Sequence, residues 1–369
     1  MSRIVIDARE SGTSTGRYID KLVEHLHALK PEHEIIILTK AERLDFMAGI
    51  APTFPVVETP FKEFTFAEQI GLMRQIKGLE PDLVHFGMVQ QPVLYRGQVV
   101  TTMHDLTTVR FRNPSKNPVV FVAKQQVYKW VNKKAARKSA AVIVPTKYVK
   151  EDVVAFTGVS PDKVAVTYEA ADHISDTPVP VEGLEGKQFI MYVGRPTPHK
   201  NLGRLIDAFK ELQKTHPELH LVLAGKKDAN YERYAQRVYT ENIPNVVFTD
   251  FITDAQLRWL YETTAAYVFP SLSEGFGLPG LEAMVHGAPV ASSNATCLPE
   301  VYSDAAEYFD PNTIQSIVLA IEHVLTDEKR RTELIRLGQK QAAKYSWDAM
   351  SRQTLEVYKQ ALTNTSDLS

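Results

Sequence analysis

The stretch that most restricts the fold of this chain is Ser271-Leu-Ser-Glu-Gly-Phe-Gly-Leu-Pro-Gly-Leu-Glu282. It follows the β-like run Tyr267-Val-Phe269 and leads into Ala283-Met-Val-His-Gly-Ala-Pro-Val290. Pro279 suits a helix start and Gly287 a helix end, so the pattern predicts strand, glycine-rich turn and helix, with Glu282 in the first helical turn. Gly275 and Gly277 leave backbone N–H groups uncovered ahead of a helix N-terminus, an arrangement that binds phosphate. Glu274 and Glu282 flank the turn, where their carboxylates can accept hydroxyl hydrogen bonds from a sugar or a ribose attached to that phosphate.

The same strand, loop and helix recur along the chain. Ile4-Val-Ile6 reads as a buried parallel strand, followed by a loop from Asp7 to Gly16 and a helix with Ile19, Leu22, Val23 and Leu26 at helical spacing. The three spaced glycines of a dinucleotide fingerprint are missing, which speaks against NAD, and a plain connecting loop is the alternative there. Phe189 to Val193 leads through Gly194-Arg-Pro-Thr-Pro-His-Lys-Asn201 to a helix bearing Leu202, Leu205, Ile206 and Phe209. Arg195 and Lys200 fall between strand and helix, where two cations can neutralise a diphosphate or simply face water. Leu221 to Ala224 is another strand and turns at Gly225. Further strands are expected at 34–38, 83–86, 99–103, 140–144, 163–166, 245–248, 265–269 and 289–293, and helices at 66–77 and 118–139. His104 follows a strand at its carboxyl end, where ligands meet open α/β sheets, whereas His85 sits inside a strand and reads as packed.

Composition narrows the class. A length of 369 residues suggests roughly two domains, and 44% hydrophobic content allows each a core. No stretch approaches the ~18 unbroken apolar residues of a membrane span. Met1-Ser-Arg-Ile-Val-Ile-Asp7 runs straight into a strand pattern, so a cleaved secretion signal is not expected. The one cysteine, Cys297, cannot form an internal disulfide and reads as a structural thiol in a reducing compartment. The net charge of −2 gives no nucleic-acid signature. Its distribution is uneven: between Asp105 and Glu151 no acid occurs, while Arg110, Arg112, Lys129, Lys133, Arg137 and others are basic. In the 118–139 helix Lys129, Lys133 and Arg137 form one row, and Ala123, Val127, Val131 and Ala135 an apolar row opposite it. The basic row is expected to face solvent, either as a solvated face or as a surface for an anionic membrane or a phosphorylated acceptor.

Glu274 and Glu282 with Gly-Phe-Gly-Leu between them, Gly194-Arg195 with Lys200-Asn201, Thr15-Gly16, His104-Asp105 and the closing Tyr345-Ser-Trp-Asp together resemble the retaining GT-B glycosyltransferases known as glycosyl transferases group 1, or glycosyltransferase family 4. The resemblance covers nearly the whole length. It implies an α/β chain with two Rossmann-like doubly wound domains facing a cleft: 1–172 for the acceptor, a 173–187 linker, 188–345 for the nucleotide-sugar, and a 346–369 helix crossing back to the first domain. It implies that Arg195 and Lys200 bind the donor diphosphate, Glu282 the ribose, and Glu274 the sugar. Backbone of Gly16, Gly194, Gly225, Gly275, Phe276, Gly277 and Leu278 would lie along the donor, and His104 beside the transferred sugar. It further implies anomeric retention without a metal or other cofactor, and no two aspartates stand two apart to form an Asp-x-Asp metal signature.

Thr197-Pro-His-Lys-Asn-Leu202, Ser293-Asn294 and Leu298-Pro-Glu-Val301 look most like bacterial mannosyltransferases that use GDP-mannose, with a glycan or lipid-linked acceptor in cell-surface polysaccharide or glycolipid synthesis. The lone cysteine and the missing leader pattern make the cytoplasm the expected location, and the basic segment makes peripheral contact with the inner membrane face one expectation for it. A UDP-hexose enzyme with a soluble acceptor, and a non-catalytic sugar-nucleotide-binding subunit, are the alternatives. Asp250 stands where relatives usually have glycine, near the expected base pocket.

Overall fold

The computed structural model describes all residues except Ser14, 112–117 and 367–369, and gives only the backbone for 118–123 and 364–366. The described residues fall into two compact units. The first comprises those of Met1–Arg110, Ser115–Glu169 and Ser346–Ser369, and the second those of Phe111–Pro114 and Ala170–Tyr345.

The first unit carries seven strands: β1 (Arg3–Asp7), β2 (Glu34–Thr39), β3 (Val56–Glu58), β4 (Leu83–Phe86), β5 (Val99–Thr102), β6 (Ala141–Val144) and β7 (Val164–Val166). Its helices are α1 (Gly16–Leu29), α2 (Leu44–Ile50), α3 (Met73–Gly78), α4 (Thr107–Arg110), α5 (Pro118–Lys138) and α6 (Lys147–Thr157). All strands pair in parallel in the order β3-β2-β1-β4-β5-β6-β7. Near-continuous apolar runs such as Ile4-Val-Ile6 and Ile35 to Leu38 suit strands buried on both faces.

The second unit carries β8 (Phe189–Val193), β9 (His220–Ala224), β10 (Val246–Phe248), β11 (Ala266–Phe269), β12 (Val290–Ser293) and β13 (Ala306–Phe309). Their order is β10-β9-β8-β11-β12-β13, again all parallel. Around them lie α7 (Leu202–Leu212), α8 (Ala229–Thr240), α9 (Asp254–Thr263), α10 (Leu278–Val285), α11 (Leu298–Tyr302), α12 (Ile314–Thr326) and α13 (Glu328–Ala342). The last helix, α14 (Trp347–Ser366), packs on α1 and on the β4–β6 part of the first sheet. It buries Met350, Val357, Tyr358 and Ala361, leaving Leu355 and Leu362 half-buried.

Both sheets reverse their strand order once, between β1 and β4 in one and between β8 and β11 in the other. Loops leaving the carboxyl ends of those strands diverge to opposite faces and open a crevice, the usual ligand position of such sheets.

Three local expectations change. The 66–77 helix begins as a π-helical turn, Glu68–Leu72, before α3. Glu282 lies in the second turn of its helix, not the first, because α10 begins at Leu278 directly after Gly277. In α5 the expected apolar row is buried only toward its C-terminal end: Val127 is 60% exposed, Val131 half-buried and Ala135 fully buried, and Asn132 and Ala136 are buried as well. The basic row, expected to face solvent, is partly engaged by α6. Lys133 lies over the Phe156 ring at 5.0 Å, and Arg137 Nε donates to the Thr157 carbonyl at the C-terminus of α6 (3.0 Å). The 173–187 segment has no helix or strand, yet it is anchored on the second unit. Arg258 donates to the Ile174 and Asp176 carbonyls (3.2 and 3.0 Å), and Leu184 is buried.

Candidate active site

In the second unit the switch between β8 and β11 brings together two loops far apart in sequence. After β8 come Gly194, Arg195 and a single 3-10 turn, Pro198–Lys200. Asn201 ends that turn at φ 59°, a left-handed geometry that asparagine tolerates. Its amide reaches the Pro270 and Pro311 carbonyls (3.1 and 2.7 Å), tying the loop to the end of β11. The Leu272 N–H donates to the His199 carbonyl (2.7 Å).

This bracing sets Lys200 Nζ against Glu274 Oε1 at 2.6 Å, with side chains 18% and 12% exposed. The sequence offers no sign of this pairing. Arg195 is exposed, and its guanidinium has no partner among the described residues.

Glu274 is held by residues that the sequence motif does not include. Its N–H donates to Thr296 Oγ1 (3.1 Å), and Cys297 Sγ donates to its carbonyl (3.3 Å). Burial pushes the Cys297 thiol well above its usual range, so the group stays protonated and structural. Gly275 and Phe276 are buried, with the Phe276 ring edge-on to Tyr345. Gly277 has φ 95°, and a Cβ there would lie 2.5 Å from the Tyr302 hydroxyl, which donates to the Gly277 carbonyl at 2.6 Å. The turn into α10 therefore excludes a side chain twice over, by conformation and by space. Leu278 opens the helix. Glu282 accepts from the Tyr261 hydroxyl (3.3 Å), and the Tyr261 ring is stacked on His286 with an interplanar angle of 4°.

Gly194 and Gly225 end adjacent strands, and the Tyr231 hydroxyl donates to the Gly194 carbonyl (2.8 Å). Asp250 meets the Gly225 backbone in a bridge and accepts the Lys227 N–H at 2.7 Å. Its φ of 59° is the left-handed region in which glycine is easiest and aspartate tolerated. The residue therefore keeps a glycine-type backbone and adds a carboxylate that caps the turn after β9.

In the first unit the loop after β1 is built on a buried ion cluster. Arg9 makes a bidentate contact with Asp7, reaches Glu68 at 3.0 Å, and donates to the Phe61 and Gln90 carbonyls. Gly16 opens α1 against this loop, where a Cβ would lie 1.7 Å from the Glu10 carbonyl oxygen. Its N–H is taken by Thr13 Oγ1 (3.0 Å).

His104, after β5, has an acceptor at each ring nitrogen. Nδ1 lies 3.1 Å from Glu169 Oε1 and Nε2 3.1 Å from the Gly87 carbonyl, with Tyr18 edge-on at 4.8 Å. Burial alone lowers the pKa of such a group, but the hydrogen bond and charge of Glu169 outweigh it, so His104 is raised above its ordinary value. His85 is the opposite case. It is fully buried between Tyr358 (2.6 Å) and Thr102 (2.8 Å), both of them neutral, and burial holds it down to about 3.

Of the basic surface set, Arg110 pairs with Asp152, Lys133 and Arg137 face α6, and Arg112 lies outside the described residues. Among the described residues no cluster of three or more His, Cys, Asp or Glu could hold a metal ion, and no helix is long and apolar enough to cross a membrane.

Residues 178–341 match the family description glycosyl transferases group 1, and residues 15–173 that of glycosyltransferase family 4. Over 275 residues the chain is 29% identical to the O-antigen chain mannosyltransferase B of Escherichia coli, covering 71% of this chain and 70% of that one. It is 33% identical over 258 residues to the serotype-specific mannosyltransferase WbdA of the same organism, and spans 31% of that longer protein. The sucrose-phosphate synthase of Thermosynechococcus elongatus superposes with a TM-score of 0.77 at 18% identity over 99% of this chain and 100% of that one. Anabaena Alr3699/HepE gives 0.74 at 16% identity over 97% and 100%.

Proposed function

Since the chain is a glycosyltransferase of the GT-B fold, we propose that it moves mannose from GDP-mannose to a glycan or lipid-linked sugar, with retention of anomeric configuration and without a metal ion. The observation that carries this reading is the Lys200–Glu274 pair at the switch between β8 and β11. A bound diphosphate attracts the ammonium, and the sugar hydroxyls bond the carboxylate so released. The acceptor hydroxyl attacks the anomeric carbon as its bond to phosphate oxygen breaks. The hydroxyl proton passes to a phosphate oxygen, giving glycoside and nucleoside diphosphate. Negative charge grows on the departing oxygen, so Lys200, the exposed Arg195 and the N–H groups ahead of α10 stabilise the transition state more than the ground state. Glu282 holds the ribose hydroxyls.

Mannose is favoured by the mannosyltransferases among the relatives, one of them an O-antigen chain enzyme. Peripheral contact with an anionic membrane on the cytoplasmic side fits the acid-free stretch between Asp105 and Glu151. The test is a thermal-shift panel with GDP, UDP, ADP and their sugar conjugates, since a ligand at about 100 times its Kd adds roughly 2.7 kcal/mol. GDP and GDP-mannose should raise the midpoint; a shift with UDP and none with GDP overturns the mannose assignment.

A further inference from the structure

Three parts of the second unit that are far apart in the chain meet at α10. Glu282 lies within the helix and His286 caps its C-terminus four residues on, so the two side chains share one face. Tyr261 of α9, fully buried, spans both. Its hydroxyl donates to Glu282 Oε2 (3.3 Å), and its ring lies parallel to the His286 ring with centroids 5.7 Å apart. The other edge of His286 is attached elsewhere: Nε2 accepts the Ile174 N–H (3.2 Å), and the His173 ring lies at 4.7 Å.

Residues 173–176 belong to the segment by which the chain enters the second unit after Glu169. Arg258 of α9 donates to the Ile174, Ser175 and Asp176 carbonyls (3.2, 3.4 and 3.0 Å) and pairs with Glu262 (2.7 Å). The Ala255 carbonyl of the same helix accepts the Val179 N–H (3.1 Å). One helix therefore carries both the tyrosine that reaches Glu282 and the groups that hold the segment.

His286 is buried, and among the described residues its Nδ1 has no hydrogen-bond partner, so stacking and the Ile174 bond hold the ring. Burial, with His173 and Arg258 near and Glu262 opposing them, holds its pKa down to about 4. At neutral pH Nε2 thus keeps the lone pair with which it accepts. A buried imidazole costs desolvation where an aliphatic side chain would pack without that cost. What it adds is a flat face for Tyr261 and an acceptor for Ile174 at once. We propose that His286 is a positioning residue for the donor nucleotide: through Tyr261 it fixes Glu282 for the ribose hydroxyls, and through Ile174 it ties that contact to the 173–176 segment. Nucleotide binding then orders the segment, and a loosened segment weakens the nucleotide by the same factor. The proposal rests on Glu282 as the ribose ligand, but not on which base or sugar the donor carries.

The test joins calorimetry of GDP and 2′,3′-dideoxy-GDP, with UDP and its dideoxy form as a second pair, to amide hydrogen exchange at Ile174 in the full chain. Wild type should bind the ribose form more tightly than the dideoxy form, and bound nucleotide should slow Ile174 exchange. His286→Leu and His286→Gln, both without a ring, should each lower affinity for the ribose form about three- to tenfold and leave the dideoxy form as in wild type. In His286→Leu the Ile174 amide should also exchange fast, with or without nucleotide. His286→Phe restores a ring without an acceptor, so it should recover most of the lost affinity while Ile174 stays fast. Ringless variants that weaken both forms equally, or neither, overturn the positioning role. Wild-type exchange at Ile174 that ignores nucleotide overturns the tie to the segment. Binding of UDP and not GDP removes the mannose assignment alone, and the same outcomes are then read with the uridine pair. Wild type that binds neither pair, or binds ribose and dideoxy forms alike, overturns the ribose role of Glu282 and the proposal with it.

Discussion

At the switch between β8 and β11 the second unit pairs Lys200 with Glu274 across two loops, with side chains 18% and 12% exposed. At the matching switch between β1 and β4 the first unit buries Arg9 between Asp7 and Glu68, with side chains 2%, 4% and 2% exposed. The topology is the same and the use of charge differs. A buried guanidinium with every donor engaged cannot turn to a ligand without leaving two carboxylates unpaired, so Arg9 holds a loop in shape. An ammonium bonded to one carboxylate at the edge of water can exchange partners at little cost, so Lys200 suits chemistry. The difference shows why charge at a switch point is not by itself a sign of function: the degree of engagement decides.

Substitutions can break this comparison. Lys200→Ala or Glu274→Ala should lower transfer about 10²–10³-fold while moving the thermal midpoint little; unchanged turnover in both would remove the assigned site. Arg9→Leu should do the reverse, costing about 3–5 kcal/mol of stability through uncompensated buried carboxylates, measured by urea unfolding. A loss under about 1 kcal/mol would show the cluster to be no more than a surface-type pair. Gly277→Ala should cost about 1–3 kcal/mol from strain at φ 95° and weaken donor binding with it. Tyr261→Phe removes the hydroxyl that positions Glu282, a loss of about 0.5–1.5 kcal/mol visible as weaker nucleotide affinity in calorimetry; equal affinity would separate Tyr261 from the ribose site.

The smallest expected effect concerns pH. Because His104 is raised in the folded chain, its bond to Glu169 adds stability that is fully present below the unfolded value of 6.5 and is lost as pH rises through the folded pKa. The midpoint difference between wild type and Glu169→Gln should therefore be largest at acid pH and shrink on the alkaline side. A difference that grows with pH would mean that His104 is held neutral.

Much of the molecule is legible in its residues. Apolar runs such as Ile35 to Leu38 and helical spacing such as Leu202, Leu205, Ile206 and Phe209 give most elements of both sheets, because burial on both faces leaves strands no polar residue to hide the pattern. Elements without such contrast escape: β3 is three half-exposed or exposed residues, and β13 interleaves Glu307 and Tyr308 with its buried ends. The α5 row holds at Ala135 and fails at Val127, because period alone says which residues share a face, and not how far along it a neighbour reaches.

The sequence by itself determined the alternation of strand, glycine turn and helix, the local chemistry of the Ser271–Glu282 turn, and the residue types at each strand end. These depend on contacts a few residues apart. Only the tertiary structure decided that Lys200 meets Glu274, that Thr296 and Cys297 hold the Glu274 backbone, that Glu169 raises His104 above its ordinary value, and that Arg9 is walled in. Those pairings join residues from 59 to 74 positions apart where they cross a sheet, as in Arg9–Glu68 and Lys200–Glu274. Strand order sets them, and strand order comes from packing the whole unit, which no single stretch encodes.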